Sequence, residues 1–209
     1  MEKISGSEAV IKCLLEEGVD ILYGYPGGAI MPVYDELFKY QDKIHHVLTR
    51  HEQGAIHAAQ GYARISGKVG VAIATSGPGA TNLVTGLADA QIDSTPIVCI
   101  TGQVASHLLG SDAFQETDII GISTPITKWN HQITKAEEIP TVLAKAFYIA
   151  KSGRPGPVLI DITKDAQFET FDFRYEKVTG IRSYKPVPDL ENSMVEKAAD
   201  LINNAKKPL

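Results

Sequence analysis

Gly24-Tyr25-Pro26-Gly27-Gly28-Ala29 stands where a short apolar run, Ile21-Leu22-Tyr23, gives way to a helical pattern. Paired glycines at such a junction let backbone approach a ligand closely, although a sharp strand-to-helix turn would use them as well. Three later segments have the same character: Thr49-Arg50-His51-Glu52-Gln53-Gly54-Ala55, Thr75-Ser76-Gly77-Pro78-Gly79-Ala80-Thr81-Asn82 and Thr101-Gly102-Gln103. Outward from these, strand-like runs recur at Ile21–Tyr23, His46–Thr49, Val69–Thr75, Pro96–Thr101, Ile126–Ile133 and Pro157–Ile162. Helical patterns lie at about 29–40, 52–66, 79–92 and 136–152. Val69–Ala74 and Ile97–Ile100 are nearly all apolar, as in strands covered on both faces. The alternation predicts an α/β fold, three layers α/β/α around a six-stranded, mostly parallel sheet with right-handed crossovers. In such a sheet ligands bind outside the carboxyl ends of the strands, so all four quoted segments fall on one functional rim.

Composition narrows the function classes. The 209 residues are 44% hydrophobic and 22% charged, ordinary for a soluble globular protein. A net charge of −5 gives no reason to expect nucleic acid or an anionic membrane as partner. No apolar run approaches the ~20 residues of a membrane span, and Met1-Glu2-Lys3-Ile4-Ser5 lacks a signal pattern. The cytoplasm is therefore the expected location. Cys13 and Cys99 read as small buried hydrophobes, not as a disulfide framework.

Three stretches are expected along the chain: a domain over 1–165, an ordered linker over 166–188 and the start of a further, otherwise missing domain over 189–209. The linker carries Phe168, Phe171, Phe173, Tyr175 and Tyr184-Lys185-Pro186-Val187-Pro188, residues that limit freedom. Met194, Val195, Ala198, Leu201 and Ile202 then form one apolar helix face. The small residues of the helix at 52–66 suit close packing against the sheet or another subunit.

Most candidate site residues admit two readings. Ser76-Gly77-Pro78-Gly79 opens a helix whose N–H groups would face something electron-rich, but it is neither a P-loop nor a G-x-G-x-x-G. Glu52 is either a carboxylate on a helix dipole or a proton partner on the rim. The histidines lack zinc spacing and Ser76 lacks a nucleophile-elbow context, so no metal site is expected here. Asp112-Ala113-Phe114-Gln115-Glu116 alone is uninformative. Lys128 reads as a solvated edge residue or a substrate-anion contact, and Arg154 as an exposed turn residue unless an anion needs it.

In combination these segments closely resemble the N-terminal, pyrimidine-binding domain of acetolactate synthase large subunits, a family of thiamine-diphosphate enzymes. Residues 76–82 and Glu52 are shared widely among such enzymes, whereas 24–29 and 112–116 resemble acetolactate synthase in particular. The resemblance implies the thiamine-diphosphate-binding fold with strand order 2-1-3-4-6-5. It implies that Glu52 hydrogen-bonds the aminopyrimidine N1′ and promotes loss of the thiazolium C2 proton. Pyruvate is then decarboxylated and joined to a second 2-keto acid, giving acetolactate or acetohydroxybutyrate for branched-chain amino-acid biosynthesis. By the same resemblance Tyr25, Pro26, Gly27, Thr75, Pro78, Asn82 and Gln115 line the aminopyrimidine and reaction centre. Gly28, Phe114 and Lys128 match the substrate approach, and Arg154 matches a contact to FAD.

Departures from the family pattern are Ala105-Ser106-His107 where proline and basic residues are common, Thr163 in place of a proline, and Trp129 after Lys128. The Gly-Asp-Gly…Asn segment that would hold diphosphate and Mg2+ is not in these 209 residues. The resemblance therefore implies a longer enzyme, a homodimer with its site at the subunit interface, further C-terminal domains and a regulatory small subunit. The piece alone should be inactive. Rival expectations are another thiamine-diphosphate enzyme, such as a pyruvate oxidase, and a non-catalytic dimerisation or regulatory module of the same fold.

Overall fold

The computed structural model describes residues 2–207. In chain order the elements are β1 (Glu2–Ser5), α1 (Gly6–Glu16), β2 (Ile21–Gly24), α2 (Met31–Lys39), β3 (His45–Leu48), α3 (Glu52–Ser66) and β4 (Gly70–Ala74). Next come α4 (Pro78–Thr81), α5 (Val84–Ile92), β5 (Ile97–Gln103), α6 (Ile119–Ser123), β6 (Trp129–Ile133) and α7 (Ile139–Lys151). The chain continues through β7 (Pro157–Thr163), α8 (Lys164–Phe168), β8 (Thr170–Phe173) and α9 (Asn192–Asn204).

β2 to β7 form one parallel six-stranded sheet in the spatial order β3-β2-β4-β5-β7-β6. Numbered by the six strands expected from sequence, this is 2-1-3-4-6-5. Period-two alternation sorts the core onto both faces. Val71, Ile73, Val98, Ile100, Val158 and Ile160 pack with α1, α2 and α7, while Ala72, Ala74, Ile97, Cys99 and Leu159 pack with α3 and α5. Both cysteines are free and buried, and burial pushes both thiols up from their ordinary range. No helix among the described residues is long and apolar enough to cross a membrane.

Local chemistry sets the helix ends. Ser5 Oγ accepts from Glu8 N at 3.2 Å and starts α1, and Gly18 adopts φ +76° just beyond its end. His51 caps α3, its Nδ1 accepting from Gln53 N at 3.1 Å, so Glu52 is the first helical residue.

Three details differ from the sequence reading. The helix expected over 79–92 is broken into α4 and α5, with Asn82 at the break. The strand expected from Ile126 begins only at Trp129, because Thr124–Ile126, with Pro125, forms a 3-10 turn. The packed unit also extends beyond residue 165. β8 pairs antiparallel with β1, and Phe171, Phe173 and Tyr175 lie against the core. Further on, Tyr184 donates its hydroxyl to Ser152 O at 2.9 Å and pins that part of the chain. In α9 the expected apolar face is exposed, with Met194, Val195, Leu201 and Ile202 each at least half accessible.

Candidate functional site

Because all six strands run parallel, the loops after β2, β3, β4 and β5 leave one edge of the sheet. Thr75, directly after β4, is where two of them meet. Its Oγ1 accepts from Ala29 N at 3.2 Å, tying the loop after β2 to the loop after β4. A Cβ added to Gly27 would lie 2.5 Å from Thr75 Cβ, and one added to Gly79 would lie 2.7 Å from Thr75 Cγ2. Glycine at both positions is the condition for the two turns to close on this threonine.

Glu52 completes the cluster. It is only 7% exposed. Asn82 Nδ2 donates to its Oε2 at 2.9 Å, and the α4/α5 break allows this by placing Asn82 at a helix end. Glu52 Oε1 sits 3.2 Å from the site of a Gly79 Cβ, and no protein donor reaches it among the described residues. A half-satisfied carboxylate at a helix N-terminus, walled by glycine and threonine, has an oxygen able to accept a hydrogen bond from a ligand.

The loop after β5 closes the rim from the other side. A Cβ on Gly77, whose φ is +55°, would fall 2.5 Å from Gln115 O, so the backbone of Gln115 rests on this glycine. Asp112 and Gln115 themselves hold φ of +55° and +57°, an uncommon region for non-glycine residues. The Glu116 carboxylate closes the turn by accepting from Ala113 N at 3.1 Å and from Gly110 N, and these backbone donors hold it below the usual carboxylate range. Phe114, 88% exposed, and the Gln115 side chain project from it. Tyr25, Pro26, Gly28 and Pro78 are also exposed along this rim.

The structure thus brings Gly27, Glu52, Thr75, Asn82 and Gln115 into one contact chain, with Tyr25, Pro26, Gly28, Phe114 and Pro78 on the same edge. Lys128 is the exception. It precedes β6, its N–H donating to Pro157 O at 2.9 Å, and therefore lies at the amino end of the sheet. Its Nζ donates to Ser152 O at 2.8 Å, to Tyr184 OH at 3.2 Å and to Ile149 O. It caps the end of α7 and holds Tyr184, so the expected place beside Gly28 and Phe114 is corrected. Arg154 shares that edge, where its Nε donates to Ser94 Oγ at 2.8 Å and its Nη2 to Gln91 O and Ile92 O at 3.1 and 3.0 Å.

One rim residue was missed. Lys164 directly follows β7 and lines a depression of about 270 Å3 with Gly28, Met31, Pro32, Asp35 and Phe168. The rule that selected Glu52, a charged side chain immediately after a parallel strand, selects Lys164 as well.

The family model for the thiamine pyrophosphate enzyme, N-terminal TPP binding domain, matches residues 4–122. The chain belongs to this family. It is similar along its whole length to the acetolactate synthase large subunit of Corynebacterium glutamicum, 54% identical over 208 residues, which span 100% of this chain and 33% of that protein. The Haemophilus influenzae acetolactate synthase large subunit is 50% identical over 211 residues, covering 100% of this chain and 37% of the relative. A probable acetolactate synthase large subunit of Methanocaldococcus jannaschii is 51% identical over 209 residues, covering 99% and 35%. The chain spans about a third of the length of these curated relatives. The chemistry of the rim suits thiamine pyrophosphate, because Glu52 has one oxygen that accepts from Asn82 and another that no protein donor reaches among the described residues.

Proposed function

We propose that this chain is the aminopyrimidine-binding part of an acetolactate synthase large subunit, acting within a longer enzyme on pyruvate and a second 2-keto acid. The observation that carries this reading is Glu52, buried with one oxygen held by Asn82 and the other without a protein donor among the described residues. When bound, thiamine pyrophosphate supplies a nucleophilic carbon that adds to the keto carbon of pyruvate and stabilises the charge left when carbon dioxide departs.

The work of this chain's residues follows from their placement. Glu52 holds a proton against the ring nitrogen N1′. Asn82 fixes the rotamer that aims Glu52, while Gly27 and Thr75 form the wall against which the ring lies. Gln115 and Phe114 approach from the opposite side and, with Tyr25, Pro26 and Pro78, exclude water from the ring edge. Gly28 leaves open space beside Lys164, whose ammonium steers the carboxylate of an incoming keto acid. Diphosphate and Mg2+ are held by residues outside this chain, and the partner subunit of a homodimer is where the reading places them. FAD is assigned to the opposite edge, where Arg154 and Lys185 line a recess of about 300 Å3 with Tyr184 and Pro186. The large-subunit names of the relatives support a regulatory small subunit as a further partner, and the cytoplasm as the location fits the biosynthetic role.

The experiment is product analysis of the complete enzyme supplied with pyruvate, thiamine pyrophosphate, Mg2+ and FAD. Acetolactate is the expected product. Peroxide or acetyl phosphate in its place would move the chain to an oxidase, and no turnover would favour a non-catalytic module.

A further inference from the structure

Asp161 is fully buried in β7, and its hydrogen-bond partners among the described residues are none of those assigned above to the cofactor. Its Oδ1 accepts from Thr101 Oγ1 at 2.6 Å, and its Oδ2 from Gln132 Nε2 at 2.9 Å and Gln103 Nε2 at 3.1 Å. The donors come from both flanking strands, β5 and β6, and all are neutral. The charged group that acts on it is Asp118, of the same sign, at the N-cap of α6. A carboxylate buried among neutral donors costs stability, so its presence calls for a role other than holding strands together.

That role is visible at Gln103. Its Nε2 carries two hydrogens, one directed at Asp161 and the other at Thr117 O, 3.0 Å away. Its Oε1 accepts from Val104 N at 2.9 Å. An ionised carboxylate only accepts, so Asp161 dictates which end of the amide faces the sheet and which atom is left to grip Thr117. Thr117 is the last residue of the Gly110–Thr117 turn, which Glu116 closes and on which Gln115 leans against Gly77. Two hydrogen bonds in series therefore run from Asp161 to the turn that carries Phe114 and Gln115.

We propose that Asp161 is a positioning residue: through Gln103 it fixes Thr117, and with it the turn that presents Phe114 and Gln115 to the entering keto acid. This rests on the reading of that turn as part of the site. Asp161→Leu removes the acceptor. Asp161→Asn retains one, because its Nδ2 can turn to Thr101, whose hydroxyl then accepts, leaving the carbonyl oxygen to both glutamines.

The test uses the full-length enzyme. Asp161→Leu is expected to raise amide hydrogen exchange over 110–117 about tenfold relative to β4 and β5. It should raise KM for pyruvate about tenfold while kcat changes by less than about threefold. Asp161→Asn should restore both to within about twofold of the native enzyme, Gln103→Leu should reproduce the loss, and the double variant should be no worse than either single one. Unchanged exchange in the turn, failure of Asp161→Asn to rescue, or additive losses would overturn the proposal. A loosened turn with unchanged KM also overturns it, by removing the turn from the substrate approach while leaving the role of Glu52 untouched. If Asp161→Leu does not fold, Gln103→Leu alone, with Asp161 native, carries the same expectations and the same refutation.

Discussion

The two edges of the sheet treat their polar side chains in opposite ways. At the amino end, Lys128 and Arg154 spend their donors on backbone carbonyls at the ends of α7 and α5. Cations there satisfy orphan carbonyls and complement the helix dipoles, so they stabilise the fold. At the carboxyl end, among the described residues, Glu52 keeps an oxygen without a protein donor, Asp112 and Gln115 hold positive φ, and Asp161 is buried without a cation. Each of these costs stability, and each lies toward the carboxyl end of the strands. The contrast teaches that a charged residue in a parallel α/β domain is best judged by which end of its strand it occupies. Lys128, spent on carbonyls at the amino end, is structural, and an unspent carboxylate at the carboxyl end is available for chemistry.

Stability against pH gives the largest way to break that contrast. Burial pushes the Asp161 carboxyl up to about 6, against hydrogen bonds from Thr101, Gln132 and Gln103 that pull it down and with Asp118 raising it further. The folded state therefore binds this proton more tightly than the unfolded chain does. The group's contribution to stability is full below about pH 4 and is lost as pH rises through about 6, a change of about 3 kcal/mol. Denaturant unfolding of the native protein and Asp161→Asn should show the native protein losing about that much relative to the variant between pH 4 and 7.5. A difference flat with pH would mean that the carboxyl-end rim carries no such cost.

Asn82→Ala comes next in size. It leaves Glu52 without its aiming partner, and a hydrogen bond to a charged group is worth about 2 kcal/mol. Turnover of the complete enzyme should fall about thirtyfold, with the thermal midpoint little changed. A loss of stability with turnover preserved would make Asn82 an ordinary helix-end residue.

Lys128→Met is the smallest effect and sharpens the comparison from the other edge. Loss of the helix cap should destabilise by about 1 kcal/mol, while kcat/KM for pyruvate stays within about twofold of native. A large kinetic effect at native stability would return Lys128 to the substrate approach.

The sheet was legible because buried parallel strands are short, apolar and punctuated, as Val69–Thr75 and Pro96–Thr101 are, whereas its strand order followed from the family resemblance alone. Glu52 was legible as a rim residue for the same reason, since it follows a strand directly. The place expected for Lys128 beside Gly28 and Phe114 followed from the family resemblance and not from the strand pattern, which left a solvated edge residue equally open; the 3-10 turn with Pro125 delays the strand to Trp129. Lys128 therefore directly precedes the strand, at its amino end. The β1–β8 pairing escaped notice because Glu2 and Phe173 meet only in space, and Glu2-Lys3 carries no apolar signal. Asp161 passed as one polar residue in an apolar strand, its donors lying 60, 58 and 29 positions away.

The central claim is that Glu52 shares a proton with the aminopyrimidine ring, and exchange of the cofactor's C2 proton for deuterium reads it directly. In the complete enzyme carrying Glu52→Gln, with thiamine pyrophosphate bound and the thermal midpoint unchanged, that exchange should slow by about 10²- to 10⁴-fold. Exchange within about twofold of the native rate would contradict the account.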